Sequence, residues 1–289
     1  MRSSDIITTD TIAVTPSEGM VNEARPFRIL VPVNSSQAAF NSLEYALNLA
    51  RVRNASLHLV HLTDMDELTE SENPVVVRRI LDRLERKAEN CIESLREIIE
   101  ESGVTVLSSE CFLGNVDVLL RQQIESLIPN LIVIGRHCFR NLSISSVIKW
   151  SSNPVIVVPQ VCPLRPPATI VFSSNRLEPG IKSLDPLLEI IPHDSDKVIN
   201  LTILTRKRVN ENKVKRDISS LKREVQTSFL VDANANKRHG TSANGQLDTA
   251  DLLCYVHRRR SLLDLLFRRK GLDWTSTLSL PILVLKGGG

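Results

Sequence analysis

Strongly apolar runs alternate with amphipathic segments along the first 160 residues. The runs RILVPV (Arg28–Val33) and LIVIG (Leu131–Gly135) are short and rich in β-branched residues, which is typical of strands buried on both faces. The segments between such runs repeat apolar residues at steps of three and four, which predicts helices with one buried face. Strands separated by helices of this length predict a parallel sheet covered on both sides. We therefore expect a doubly wound α/β fold.

Polar residues at the ends of the predicted helices support this assignment. The stretch NSS at 34–36 follows the first strand and can cap a helix. Asn73 and Pro74 predict the start of a long second helix, and Gly103 predicts its end. The other predicted elements of the first half are strands at 56–62, 104–112 and 153–159 and a third helix at 115–128.

The predicted sheet also gives the position of a candidate ligand site. In doubly wound sheets a ligand lies beyond the carboxyl ends of the strands, at the point where the winding direction reverses. For five strands this point falls between strands one and four. We therefore expect the loops at Asn34 and Gly135 to face each other across a crevice.

The second half repeats the pattern of the first with a period of about 140 residues. The proline-rich segment QVCPLRPPA has no periodicity and is interpreted as a stiff linker. Five strand-like runs follow, with a helix at 180–191 that Pro186 interrupts and another at 211–225, but a polar stretch at 232–249 replaces the third helix. We expect a polar tail at 1–26, a domain at 27–159, a linker at 160–167 and a degenerate second domain at 168–286.

Composition narrows the class of protein. The 289 residues are enough for two domains of ordinary size. The five cysteines are scattered and form no CxxC pair, which argues against a disulfide framework or a zinc site and favours a reducing compartment. The N-terminal residues do not form a signal peptide, and no run of about 18 apolar residues is present. We expect a cytoplasmic protein that does not contact a membrane.

Charge is divided unevenly between the two halves. Residues 1–160 carry a net charge of −5 and residues 161–289 carry +8. Opposite charges favour docking of the halves, although a basic half could also attract phosphate groups. Within it, His257–Lys270 places cations around a short apolar run. We interpret this segment as a solvated helix that pairs with the acidic half, and phosphate contact with a nucleotide or a nucleic acid is the alternative.

Several segments together resemble a known family. The stretch from Arg28 through the second predicted helix, LIVIGR and SSVIKWSSNPVIVVP are similar to the universal stress protein domain over residues 27–159. The resemblance implies an α/β fold with two doubly wound five-stranded parallel-sheet domains, Rossmann-like and adenine nucleotide alpha hydrolase-like, related by pseudo-two-fold symmetry. It also implies that domains pair through their last strands, here Asn153–Pro159 and Leu280–Leu285.

The resemblance further implies a nucleotide site that this sequence has altered. The family's ATP-binding branch has a Gly-x2-Gly-x9-Gly-Ser/Thr loop after strand four and an acidic residue after strand one. Gly135 is the one loop glycine kept here, Cys138 replaces the second, the spacer is too short, Ser145 and Ser146 replace the last step, and Asn34 replaces the acid. The residues of this degenerate ligand site are Val33, Asn34, Ile134, Gly135, Arg136, Cys138, Ser145, Ser146 and Val147.

Side chains in place of glycines have a physical consequence. Glycine allows positive φ and lets backbone amides approach phosphate oxygens, whereas a Cβ in that conformation costs about 1–2 kcal/mol. We expect Cys138 and Ser145 to be strained or displaced and the triphosphate site to be closed. Arg136, His137 and Arg140 could serve another anion, but solvated loop cations are the simpler interpretation.

Other patterns do not predict a chemical site. His58 and His61 are three residues apart on a predicted strand, so they point to opposite faces and cannot share a metal ion. Ser35 and Ser36 lack a GxSxG context, so helix capping is the better interpretation. Nearby cations could make Cys138 a reactive thiol, but we expect a buried, inert one.

The sequence therefore favours a non-catalytic stress-response or regulatory module of two paired domains. We expect no cofactor, no metal and no enzymatic activity, and we expect an unidentified protein partner or further homo-oligomerisation. The alternative is a switch or weak ATPase that binds ATP or another adenine nucleotide at a modified site. A third hypothesis is a nucleic-acid-associated protein that uses the basic second half.

Overall fold

A computed structural model describes residues 26–65, 73–173, 185–191, 199–205, 225–231, 249–257 and 279–286. Ten strands and five helices lie in this part of the chain. The strands are β1 (Arg28–Val33), β2 (Ser56–Thr63), β3 (Val106–Leu113), β4 (Leu131–Gly135), β5 (Val155–Val158), β6 (Thr169–Ser173), β7 (Ile199–Thr205), β8 (Val225–Val231), β9 (Leu252–His257) and β10 (Ile282–Lys286). The helices are α1 (Gln37–Arg53), α2 (Pro74–Ser102), α3 (Val116–Leu127), α4 (Ile144–Trp150) and α5 (Asp185–Ile190).

All ten strands belong to one sheet in the order β3-β2-β1-β4-β5-β10-β9-β6-β7-β8. Neighbouring strands within each half are parallel, which confirms the predicted α/β class with a parallel sheet. The halves meet where β5 pairs with β10 in antiparallel register, with Ile156 opposite Leu283. Numbered from its own first strand, the second half has the same strand order as the first, read from the other edge.

Helix ends lie where the polar residues predicted them. Ser36 is the N-cap of α1, and its Oγ accepts a hydrogen bond from the Ala39 amide at 3.3 Å. The Asn73 side chain accepts a hydrogen bond from the Val75 amide at 3.0 Å at the start of α2. Gly103 ends α2 with a φ of 70°, a left-handed conformation that costs glycine little. These caps satisfy backbone groups that a helix leaves unpaired at its ends.

A continuous aliphatic core holds the sheet and helices together. Four leucines of this core are fully buried: Leu30, Leu57 and Leu59 of the central strands and Leu95 of α2. Each such side chain contributes roughly 1.5–3 kcal/mol relative to exposure. The same core extends into the second half, where Phe172 of β6 is fully buried. Among the described residues, no helix is both long and apolar enough to cross a membrane.

Two helices differ from the sequence prediction. The short helix α4 was not predicted, because seven residues offer too little periodicity to detect. Of the helix expected at 180–191, the structure describes α5 at Asp185–Ile190, and Pro186 does not interrupt it within this range. The tail before residue 26, the helix expected at 211–225, the stretch 232–248 and the basic residues after His257 lie outside the described residues.

Candidate functional site

A cleft of about 670 Å³ lies beyond the carboxyl ends of β1, β2 and β4. It lies at the point where the winding reverses between β1 and β4, as expected. The side-chain amide of Asn34 donates a hydrogen bond to the Cys138 carbonyl, so the loops after β1 and β4 do face each other. Cys138 lines this cleft, and its side chain is only 4% exposed.

The Asn34 side chain connects the two loops that flank the cleft. Its Oδ1 accepts hydrogen bonds from the Ser36 amide at 3.0 Å and from the Cys138 thiol at 3.3 Å. Its Nδ2 donates to the Cys138 carbonyl. An ionised aspartate has no donor for that carbonyl, so this loop contact depends on asparagine.

Gly135 is required by packing in this structure. A Cβ built on Gly135 would lie 2.2 Å from the Ala38 carbonyl oxygen in α1, which is far inside contact distance. The glycine therefore allows α1 to lie directly against the end of β4.

The left-handed residue of the following loop is His137, whose φ is 59°. The strain expected at Cys138 and Ser145 is therefore wrong, because neither residue has a positive φ among the described residues. An exposed His137 takes the conformation that a glycine would favour, while Cys138 turns its side chain inward. Burial raises the pKa of the Cys138 thiol to about 12, and hydrogen bonds with Ser36 and Asn34 lower it less. The thiol is therefore protonated at neutral pH.

Several amides of the loop after β4 and of the first turn of α4 have acceptors within the protein. The Arg136 amide donates to the Val158 carbonyl at 2.7 Å, and the Cys138 amide donates to the Gly135 carbonyl at 3.2 Å. The amides of Ser146 and Val147 both donate to the Ser143 carbonyl, at 2.9 and 3.2 Å. A phosphate held by these four amides would have to displace bonds that the folded chain makes to itself.

Residues 27–159 match the model described as the Universal stress protein family. This part of the chain is therefore similar to a universal stress protein domain. A universal stress protein from Archaeoglobus fulgidus DSM 4304 aligns with 92% of this chain and 100% of its own length, at 15% identity and a TM-score of 0.65. A functionally unknown protein from Pseudomonas aeruginosa PAO1 aligns with 91% of this chain and 93% of its own, at 15% identity and a TM-score of 0.50. At these identities the likeness shows the fold alone, and comparison with curated proteins found no match.

Of the nine predicted site residues, Asn34 and Cys138 line the cleft. Val33, Ile134 and Val147 are fully buried core residues. Arg136 is only 5% exposed, which corrects the interpretation of this arginine as a solvated loop cation. Ser145 is exposed at the start of α4, where its Oγ lies 2.7 Å from that of Ser143. Two of the nine residues thus line the cleft, and most of the others are buried beneath it or beside it.

Residues outside the nine predicted ones also line the cleft. His61, Asp64 and Lys87 line it from β2 and α2, together with Arg140 and Asn141 of the β4–α4 loop. The side-chain amide of Asn141 donates to Asp64 Oδ2 at 2.8 Å and so closes one side. The sequence did offer a signal for His61 and Asp64. They lie at the carboxyl end of β2, which is next to β1 in the sheet.

His61 is neutral at physiological pH because of its surroundings. It is 2% exposed, and burial followed by the charge of Lys87 lowers its pKa to about 4. Its Nδ1 lies 3.3 Å from the Thr63 hydroxyl, and its buried Nε2 has no hydrogen-bond partner. His58 instead contacts the Ser108 hydroxyl at 2.8 Å. No cluster of metal-ligating side chains occurs within the described ranges.

Proposed function

We propose that this protein is a non-catalytic universal stress protein, a regulatory module that does not bind ATP in the manner of the family's binding branch. The observation that carries the proposal is the pairing of the loop amides. Those of Arg136, Cys138, Ser146 and Val147 donate to carbonyls of the chain itself. With these four amides bonded within the chain, the loop has fewer donors to offer phosphate oxygens.

The Asn34 contact supports the same proposal. Asn34 joins the loops after β1 and β4 through the Cys138 carbonyl and thiol. A nucleotide that inserted between these loops would have to break these contacts. Breaking them would oppose binding unless the ligand replaced the lost hydrogen bonds.

The arrangement of the two halves supports a tandem organisation. The boundaries proposed are 27–159 for the first domain, 160–167 for the linker and 168–286 for a degenerate second domain. The antiparallel pairing of β5 with β10 and the matching strand orders are what two such domains paired through their last strands would show. Such a module would act through a protein partner or further self-association.

A second candidate function is an adenine nucleotide switch or weak ATPase with a modified site. The specific observation in its favour is the open cleft of about 670 Å³, which carries the cations Lys87 and Arg140 at its sides. In this case the nucleotide phosphates would contact side-chain cations in place of loop amides.

Nucleotide content of the natively purified protein separates the two candidates. The protein is denatured, and the released small molecules are measured by mass spectrometry. The first proposal expects no stoichiometric ATP, ADP or AMP, and finding one would overturn it. Millimolar ATP should also leave the melting temperature unchanged. If ATP did bind, a concentration of 100 times its Kd would stabilise the folded protein by about 2.7 kcal/mol and raise the melting temperature.

A matched pair of variants sharpens the thermal test. If ATP does raise the melting temperature, Lys87→Ala should abolish the rise under the second candidate. The control is Arg121→Ala, which removes an exposed cation of α3 whose guanidinium pairs with Glu125. An equal loss of the shift in both variants would point to non-specific charge attraction and would reject the switch.

Nucleic-acid association, the third hypothesis, would instead give an affinity that falls steeply with added salt.

A further inference from the structure

Residues 160–168, called the strap below, are bonded to α1 of the first half along their length. Asn41 and Asn48 lie about two turns apart on one face of α1. The Asn41 side-chain amide donates to the Gln160 carbonyl, and the Asn48 side-chain amide donates to the Leu164 carbonyl. Between these contacts the strap packs a partly buried Cys162 against the common core. The strap therefore has fixed partners on the first half, which a passive spacer would lack.

The other end of the strap is bonded to one buried carboxylate of the second half. Asp251, just before β9, is 6% exposed. Its Oδ1 accepts hydrogen bonds from Arg165 Nε at 3.1 Å and Nη2 at 2.7 Å. Its Oδ2 accepts hydrogen bonds from the amides of Ala168 at 3.1 Å and Thr169 at 2.9 Å. Four donors to a mostly buried carboxylate form a strong contact, because leaving such a charge unpaired is costly.

The strap also approaches the loop that flanks the cleft. The Arg136 guanidinium lies close enough to the Cys162 thiol to lower its pKa, although burial has the larger effect and raises it to about 11. The Arg136 amide is bonded to Val158, two residues before the strap begins. The strap is thus bonded to α1, and its Cys162 lies near Arg136 of the loop after β4, before the strap reaches Asp251.

We propose that the strap couples the two halves, so that local unfolding of one half is accompanied by local unfolding of the other. Its contacts with Asn41 and Asn48 hold it to the first half, and its contacts with Asp251 hold it to the second. A change that frees one end should therefore loosen both halves. The proposal does not depend on whether the cleft binds a nucleotide.

Hydrogen exchange of the full-length protein, read by mass spectrometry, tests this coupling. Asp251→Asn keeps the shape of the side chain and removes its charge. We expect exchange to rise about tenfold both at β9, where the substitution lies, and at α1 in the other half. Glu125→Gln is the matched control, because it makes the same chemical change in an exposed ion pair with Arg121 and should leave both segments unchanged. Faster exchange confined to β6 and β9 would overturn the proposal.

The reciprocal experiment frees the other end. The double substitution Asn41→Ala and Asn48→Ala should raise exchange at β6 and β9 as well as at α1, with Asn90→Ala on α2 as the control for loss of a helical asparagine. An effect limited to α1 would contradict coupling.

If Asp251→Asn fails to fold, Arg165→Ala keeps the two backbone donors to the carboxylate and removes an exposed guanidinium. The same rise at both β9 and α1 is expected, and an effect on β9 alone again overturns the proposal.

Discussion

Burial of His61 predicts that the protein loses stability as the pH falls from about 6.5 to about 4. The imidazole is 2% exposed, its Nε2 has no partner, and Lys87 contributes a further positive charge. Protonating this ring in the folded protein is therefore unfavourable, while in the unfolded chain it protonates at the ordinary pKa. The perturbation is acidification, compared between the wild type and His61→Gln, which cannot titrate.

The size and sign of the effect follow from the two pKa values. The pKa is 6.5 in the reference state and about 4 in the folded protein. Between these values the unfolded state binds more protons, so the free energy of unfolding decreases as the pH falls and is independent of this group above about pH 7. Each pKa unit corresponds to about 1.4 kcal/mol, so the full loss is about 3 kcal/mol. Because the ring is almost fully buried, solvent screening reduces this figure little.

Urea denaturation at a series of pH values from 7.5 to about 4 measures the effect. Carboxylates and His58 titrate in both proteins, so their contributions cancel in the difference between wild type and His61→Gln. That difference should shift by about 3 kcal/mol in favour of the variant across the series. Parallel curves for His61→Gln and wild type would refute the reasoning.

Three further substitutions and one control, Leu107→Ala, test the packing and the backbone. Gly135→Ala should destabilise the protein strongly or prevent folding, because its Cβ would lie 2.2 Å from the Ala38 carbonyl; expression and melting temperature measure this. Ile128→Gly should stabilise it by about 1 kcal/mol in urea denaturation, because Ile128 has a φ of 45° and is 65% exposed. Leu95→Ala should cost about 2–5 kcal/mol in the same assay, whereas Leu107→Ala, 46% exposed, should cost far less.

The sequence predicted most of the regular structure because each element carried its own local signals. Gly103 ends α2 where a left-handed residue is needed, and Asn73 caps its start. The strands were recognisable because both faces are buried, so their residues are apolar throughout. The helix α4 carried neither signal, since Ser143 makes no side-chain capping bond and the helix has only seven residues.

The sequence predicted which loops flank the cleft, but only some of the residues that line it. Strand order alone puts the loops of Asn34 and Gly135 together, and the structure confirms it. Sequence spacing does not tell which residue of a loop adopts positive φ, and here that residue is His137 instead of Cys138. It also does not tell which carbonyl an amide will find, so the pairing of Arg136 with Val158 could not be anticipated. These features depend on contacts between distant parts of the chain.

Helix α1 connects the altered cleft with the contact between the two halves. Its N-cap, Ser36, lies at the cleft beside Cys138, and the Ala38 carbonyl, two residues later, lies against Gly135. Asn41 and Asn48, further along the same helix, hold the strap. A ligand that separated the two cleft loops would therefore have to move a helix that is fixed along most of its length. The close packing against Gly135 and the bonded strap oppose that movement together, which favours a module whose two halves keep one arrangement over a switch that opens on nucleotide binding.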